Sequence, residues 1–393
     1  MKDVDVAVVG AGPAGSVCAY RLARAGASVM LLDRASFPRD KPCGGGLTGR
    51  AMRELPIDVD EVVEARVDEF EFRLRYGATY LRKSRQPLVV MTQRARLDAH
   101  LAEAASAAGA DFRDATKVDH IQCESDGSFN LSCDGERVGA RVVIAADGAN
   151  GKAASQLGLS GQRTLGVALE GNIPLGKIDG ARYQDRAVLE LATLPGGYGW
   201  VFPKADHLNL GVGGWESTGP TLRDHLERLC EAHGTNVEAL ENVRGHRLPL
   251  RRRGAPLARG RAALVGDAAG LVDPVSGDGM FECFVSARLC SAAALEVLSG
   301  KQSDLAPYAA ALEGRLGRLS SASWKAKHAF DRFPRTAFAL TRPPFVWPII
   351  EQLIHGEIDD PGASKGPGRV ALKALKAVAS LTPRGKAAGS ART

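Results

Sequence analysis

"VDVAVVGAGPAGSVCAYRLARAGASVMLLDR", residues Val4–Arg34, reads as strand, glycine turn, helix and strand. Val4–Val9 is apolar enough to be buried on both faces, as strands of a parallel sheet are. The helix runs from Pro13 to Ala25, and Gly26 suits the left-handed residue that closes a helix C-terminus. The second strand, Ser28–Leu32, ends in Asp33. Gly10, Gly12 and Gly15 form G-x-G-x-x-G. That pattern alone is weak, but here a strand precedes it, a helix follows it, and an acid stands 18 residues past the last glycine. Each glycine has its reason: a tight turn, close backbone approach to a pyrophosphate, and close helix–strand packing. Gly10, Gly12, Pro13, Ala14 and Gly15 therefore make a dinucleotide cradle, with bare N–H groups and a positive dipole end toward the phosphates. Asp33, with Arg34 beside it, would take the ribose hydroxyls.

Two later segments extend this unit. "ARVVIAADGANG" (Ala140–Gly151) is a buried strand ending in Asp147-Gly148. Before it, Asp126-Gly127 and Asp134-Gly135 are hairpin signals between alternating runs, which predicts an inserted three-stranded meander. In "GRAALVGDAAGLVDPVSGDGMFECF", the strand Ala262–Val265 meets Gly266-Asp267 and a glycine-punctuated turn before a helix. An acid at a strand end before a small-residue helix start suits a hydroxylated sugar chain near more phosphate. A simple nicotinamide dehydrogenase needs no such second element.

Composition sets the outer limits. At 393 residues, 45% hydrophobic and 24% charged, the chain is an ordinary multidomain globular protein. No apolar run approaches a membrane span and no signal peptide opens the sequence. Seven scattered cysteines without a C-x-x-C pair argue for reduced thiols, against a disulfide framework and against a metal site. These features predict a cytoplasmic protein. Of the net charge of +6, seven positive residues lie after Pro361 with no acid among them; removing them leaves −1. The basicity thus belongs to the tail, which speaks against nucleic acid as a partner.

"PGGYGWVFPK" (Pro195–Lys204) concentrates aromatic residues in a chain that is only 6% aromatic. The alternation of Tyr198, Trp200 and Phe202 is a strand with those rings on one face. They form either the core of a sheet or an apolar wall facing a large flat ligand. "HLNLGVGGW" (His207–Trp215) alternates Leu208, Leu210 and Val212 and is predicted to pair with it.

These residues together resemble the FAD-binding fold of p-hydroxybenzoate-hydroxylase-type flavoproteins, and more narrowly the geranylgeranyl reductase family, over about residues 1–300. "FPRDKPCGGGL" (Phe37–Leu47) is similar to that family's loop after the second strand, and "RARLD" (Arg94–Asp98) to its R-x-x-[FL]-D helix start. "GDAAGLVDPVSGDG" (Gly266–Gly279) resembles its second flavin motif. "PGGYGWVFP" fits P-x-x-Y-x-W-x-F-P at every fixed position. The fold class implied is α/β (α+β): a Rossmann-like FAD-binding domain with an inserted β-meander, a second antiparallel-sheet substrate domain and a helical C-terminal region. The FAD-binding domain would comprise 1–55, 86–160 and 245–300, the substrate domain 56–85 and 161–244, the helical region 301–360, and a basic tail 361–393.

The resemblance implies that the cradle and Asp33 hold the ADP half of FAD. Arg94 would contact its phosphate or ribityl region, and Asp267 its ribityl chain or pyrophosphate. Gly277, Gly279 and Met280 would border the cofactor, as would Cys43, Gly44 and Gly45. Cys43 would position a substrate alkene or help deliver a proton, unless it is simply a small buried hydrophobe. Tyr198, Trp200, Phe202, Pro203 and Trp215 would line the substrate cavity, with Phe281 and Phe284 flooring it or packing the helix. The implied activity is an FAD-dependent reduction of isoprenoid (geranylgeranyl or polyprenyl) double bonds, with hydride passing from reduced flavin N5 to the alkene. NAD(P)H or a reduced redox carrier would be the donor. A flavin monooxygenase or halogenase, or a flavin- or lipid-binding carrier without turnover, would share most of these motifs. Arg251–Arg253 is either a solvated loop or a site for an NADPH 2′-phosphate. "RPPFVWPIIEQLIHG" (Arg342–Gly356) is a lid over the cavity or a membrane-facing patch. In "RVALKALKAVASL" (Arg369–Leu381), Val370, Leu375, Val378 and Leu381 recur at helical spacing beside Lys373 and Lys376. This basic stretch is either a flexible tail or a helix lying on anionic lipid as a peripheral membrane contact.

Overall fold

The computed structural model describes residues 2–251 and 254–358, with Val370 and Ala374 beyond them. Its first sheet has eight strands. Lys2–Val9 lies at the centre, parallel to Val29–Leu32 on one side and to Glu136–Ala145 on the other. Asp111–Arg113 extends one edge and Ala262–Leu264 the other, both parallel. Val6, Ala7, Val8, Met30 and Leu31 are fully buried, as a sheet covered on both faces requires. The helix Pro13–Arg24 packs between helices Arg94–Ala107 and Met280–Leu298. The meander is present as Val118–Cys123, Phe129–Cys133 and Glu136–Ala145. Its third strand is long enough for two tasks: the Glu136–Ala140 half pairs with the hairpin, and Val138–Ala145 pairs with the central strand.

The second sheet has seven strands, ordered Glu241–Arg251, Arg163–Pro174, His207–Trp215, Tyr198–Pro203, Arg186–Leu191, Glu69–Leu74 and Thr79–Lys83. All neighbours are antiparallel except Arg186–Leu191 against Glu69–Leu74. One boundary differs from the sequence expectation. Residues 245–251 belong to this sheet and not to the first, because beyond a register shift at Glu170/Asn172 the strand Glu241–Arg251 pairs regularly with Arg163–Pro174 from Glu170/Arg244 to Arg163/Arg251. The aromatic strand pairs with His207–Trp215 in the register Trp200/Gly211. Its two faces differ. Val201 is fully buried in a core with Leu210, Leu226 and Leu229, under the helix Leu222–Ala232, while Tyr198, Trp200 and Phe202 point the other way. Each leucine buried in that core contributes about 1.5–3 kcal/mol.

A small three-stranded sheet, Gly46–Thr48, Val89–Thr92 and Val63–Val67, joins the two large ones. The C-terminal region is helical: Ala306–Arg332, Pro334–Thr341 and Trp347–His355. Among the described residues no helix is long and apolar enough to cross a membrane. Arg252 and Arg253, and the predicted basic helix apart from Val370 and Ala374, lie outside the described residues.

Candidate active site

One continuous cavity of about 1560 Å³ runs between the two large sheets. That exceeds the ~300–1,000 Å³ of an ordinary small-molecule pocket and leaves room for two ligands end to end. Its first end is the glycine turn. Gly10 has φ +104°, and a Cβ there would lie 2.4 Å from the Ala146 carbonyl oxygen. A Cβ on Gly15 would lie 1.8 Å from the Gly10 carbonyl oxygen, so Gly15 serves helix–strand packing and does not itself line the cavity. Gly12, Pro13 and Ala14 do line it, and no backbone lies over Gly12. The helix that follows has no acidic residue in its first turn and no side-chain cap, so its positive end is left for a ligand. Asp33 and Arg34 line the same end. The Asp33 carboxylate accepts the Ala11 N–H (2.8 Å) and the Ala35 N–H (2.9 Å), which fixes its direction.

Arg94 and Asp267 stand further in. Arg94 is buried at the start of its helix and makes a bidentate pair with fully buried Asp98, 2.7 Å at each nitrogen. Burial pushes the guanidinium's proton affinity down, but Asp98 outweighs this and holds it charged. Arg39 supports the same carboxylate at 3.0 Å. Asp267 receives the Lys41 ammonium at 2.7 Å, and the His246 ring stands 3.9 Å away. Burial raises the Asp267 carboxyl, yet Lys41 and His246 prevail and keep it well below the usual carboxylate range. Gly277, Gly279 and Met280 border this middle section. Buried oxygens of Asp147 (Oδ1) and Asp278 (Oδ2), with His246 Nε2, have no hydrogen-bond partner among the described residues. Free N–H groups, a glycine with no backbone over it, an acid at the end of the second strand and polar atoms without a hydrogen-bond partner fit a bound dinucleotide.

The loop carrying Cys43 crosses the cavity beneath the aromatic strand. A Cβ on Gly44 would come within 2.8 Å of the Phe202 ring, and one on Gly45 within 2.0 Å of the Thr92 carbonyl oxygen. The glycines thus let the loop lie flat between the aromatic wall and the small sheet. Cys43 is half-buried, and its Sγ accepts the Gly45 N–H at 3.4 Å. Two residues that the sequence reading did not single out hold the loop. Glu170 Oε1 accepts the Cys43 N–H at 2.6 Å. Lys204 Nζ donates to the Gly44 carbonyl (2.7 Å) and the Thr92 carbonyl (2.9 Å). A lone acid in the otherwise uncharged run Thr164–Pro174 was the signal for Glu170. Lys204, directly after the aromatic motif, carried none.

Burial pushes Lys204 down to about 8, only partly opposed by Cys43, Glu64 and Glu170. Its folded value lies below the unfolded lysine value, so between pH 8 and about 10 the unfolded chain binds more protons and stability from this group rises with pH. Melting temperatures of wild type and Lys204→Met from pH 7.5 to 9.5 should therefore diverge, with the wild type gaining on the variant. Parallel curves would show that Lys204 titrates normally.

The far part of the cavity is apolar. Tyr198, Trp200 and Phe202 face it with Phe70, Phe72, Leu189 and Met91. Tyr198 donates its hydroxyl to the Ser276 carbonyl, and Trp200 donates to Asn209 Oδ1 at 2.8 Å. Trp215 lies at the edge, stacked on Trp324 with the Lys327 ammonium 4.7 Å from its ring centre. Three expected wall residues are elsewhere. Pro203 ends the strand away from the cavity, and Phe281 and Phe284 share the core-facing side of their helix. Being three apart, the two phenylalanines point the same way, and it is Met280 and Cys283 of this helix that reach the cavity. "RPPFVWPIIEQLIHG" supplies wall: Ile350, Leu353 and Ile354 close the apolar end together with Leu319 and Phe330.

A model of the FAD binding domain matches residues 3–304. A menaquinone reductase of Mycobacterium tuberculosis is 32% identical over 87% of this chain and 85% of its own length. A geranylgeranyl diphosphate reductase of Rhodobacter capsulatus is 33% identical over 77% of this chain and 78% of its own. Among solved structures, a geranylgeranyl bacteriochlorophyll reductase-like protein of Thermoplasma acidophilum superposes with a TM-score of 0.80. It is 23% identical and covers 96% of this chain and 100% of that one, which speaks for the fold. With the glycine cradle, the Arg94 and Asp267 stations and the complete aromatic motif on one cavity, the chain belongs to the geranylgeranyl reductase family of FAD-dependent oxidoreductases.

Proposed function

We propose that the protein saturates carbon–carbon double bonds of a prenyl chain, carried either on a diphosphate or on a quinone. The observation that supports this most is the continuity of the cavity from the glycine cradle to an apolar end walled by Phe70, Phe72, Trp200 and Leu353. FAD held at the cradle supplies the two-electron reducing power. Asp33 orients its ribose, the N-terminus of Pro13–Arg24 and Arg94 take its phosphates, and Asp267 takes its sugar chain. The Cys43–Gly45 loop sets how close the chain comes to the cofactor. The aromatic wall holds an isoprenoid by burial and excludes water, with each buried methylene contributing about 0.8 kcal/mol. NAD(P)H or a small reduced carrier would recharge the cofactor from solution, and the basic segment after residue 361 would hold the protein at a lipid surface.

The test is an anaerobic single turnover. Dithionite-reduced holoprotein is mixed separately with geranylgeranyl diphosphate and with a menaquinone, and flavin absorbance is followed alongside lipid mass. Reoxidation without oxygen, with two mass units gained per bond, is the expected result and identifies the substrate. Flavin that stays reduced with both lipids until air is admitted would overturn the reductase reading in favour of oxygen chemistry.

A further inference from the structure

Saturating an alkene takes a proton as well as a hydride, and the source of that proton has to reach the reacting carbons inside the apolar cavity. Tyr198 is not free to serve, because its hydroxyl is committed to the Ser276 carbonyl. Asp267 is held as a carboxylate by Lys41. Glu170 is placed differently. It lines the cavity in the middle of the strand Arg163–Pro174, opposite Gly211 in register. The Trp200 indole lies over Gly211, where a Cβ would come within 2.1 Å of the ring, so the carboxyl stands on the aromatic side of the sheet. Its one hydrogen bond among the described residues is the Cys43 N–H onto Oε1 at 2.6 Å. That bond aims the group at the Cys43 loop and leaves Oε2 without a protein partner. Building on the alkene-reductase reading above, we propose that Glu170 is the proton donor of the reduction.

The step balances. The alkene π bond breaks, and one carbon receives the hydride equivalent that the reduced cofactor supplies. The π electron pair takes the proton from Glu170 at the other carbon. Two C–H bonds form, the Glu170 O–H bond breaks, and the carboxylate left behind is reprotonated from solvent. Burial supports the assignment, for it pushes Glu170 up to about 7, so a large share of the group carries its proton near neutral pH. The charged and titratable groups around it are Lys204 just past the aromatic strand, Asp40 and Cys43 from the loop, Arg94 from its helix, and Arg244 from the neighbouring strand. Lys204 and Arg94 lower the carboxyl and Asp40 raises it, so the donor form is lost as pH climbs through about 7.

Glu170→Gln tests this, because the amide oxygen can still accept the Cys43 N–H. In anaerobic single turnover with whichever of the two lipids the wild type reduces, the variant should slow at least about a hundredfold. Its flavin content and melting temperature should match the wild type, and its KM for lipid should be unchanged. Glu170→Asp, which keeps an acid but draws it back, should fall between the two. A second readout needs no turnover. Infrared difference spectra of wild-type holoprotein should show a protonated-carboxyl C=O stretch that disappears as pH is raised through about 7, and this band should be missing from Glu170→Gln. Turnover of Glu170→Gln within twofold of wild type, or persistence of the infrared band in that variant, overturns the assignment alone. Wild-type protein that reduces neither lipid overturns the functional reading and this assignment together.

Discussion

Gly10→Ala should purify with on the order of a tenth or less of the wild-type flavin, and with a much lower melting temperature. Two costs coincide at that position. An L-residue at φ +104° is strained by about 1–3 kcal/mol. Its Cβ would also sit 2.4 Å from the Ala146 oxygen, where strand end meets strand end and neither backbone can give way. Overpacking of that kind costs a further ~1–3 kcal/mol. Gly26→Ala separates the two contributions, since Gly26 has φ +87° with nothing within 4 Å of its Cβ. It should lose only the strain and remain yellow. If Gly10→Ala behaves like Gly26→Ala, the close approach at Ala146 is not what makes residue 10 a glycine. The absorbance ratio of flavin to protein, with thermal melts of both variants, decides the matter.

Arg94→Met should destabilise the protein by about 3–5 kcal/mol in urea titration, the usual cost of breaking a buried pair from one side. Asp98 is fully buried, and after the change only Arg39 would face it. Adding Asp98→Leu should recover much of the loss, because the stranded carboxylate then disappears. That non-additivity is the signature of a pair. If Arg94→Met costs under ~1 kcal/mol, Arg39 alone satisfies Asp98. Flavin affinity should drop with Arg94→Met and stay low in the double variant, since removing Asp98 does not restore the positive charge in the cavity wall.

Much of this architecture was legible because its signals are local. Gly10, Gly12, Gly15 and Asp33 lie within one strand–helix–strand unit, and Asp126-Gly127 with Asp134-Gly135 mark their own turns. The alternation of Tyr198, Trp200 and Phe202 predicted a strand with a ring-bearing face, and the long cavity explains why that face is aromatic. Where the reading stopped, the determinants were distant in sequence. Glu170 meets Cys43 across 127 positions, and Lys204 meets Gly44 across 160. No spacing rule connects them. For Phe281 and Phe284, nearness to the flavin motif leaves cavity floor and plain helix packing both open. The helix Met280–Leu298 turns that pair inward, where Arg50 covers Phe281 at 4.7 Å. The extent of the second sheet was misjudged at residue 245, since an eleven-residue strand carries no internal mark of where one sheet ends.

The cavity draws its two ends from different stretches of chain. The redox end comes from residues 9–50, Arg94, residues 146–153 and the stretch around 265–283, while Leu319, Phe330, Ile350 and Leu353 close the apolar end from helices beyond residue 305, opposite Phe70, Phe72 and Trp200. A change in those four side chains leaves Gly10, Asp33 and Asp267 untouched. Inheritance can therefore act on the two ends separately, conserving the electron chemistry in one part of the gene while accumulating variation in another. Descendants of such a chain can diverge in the length of hydrocarbon they accept without passing through an ancestor that has lost its cofactor.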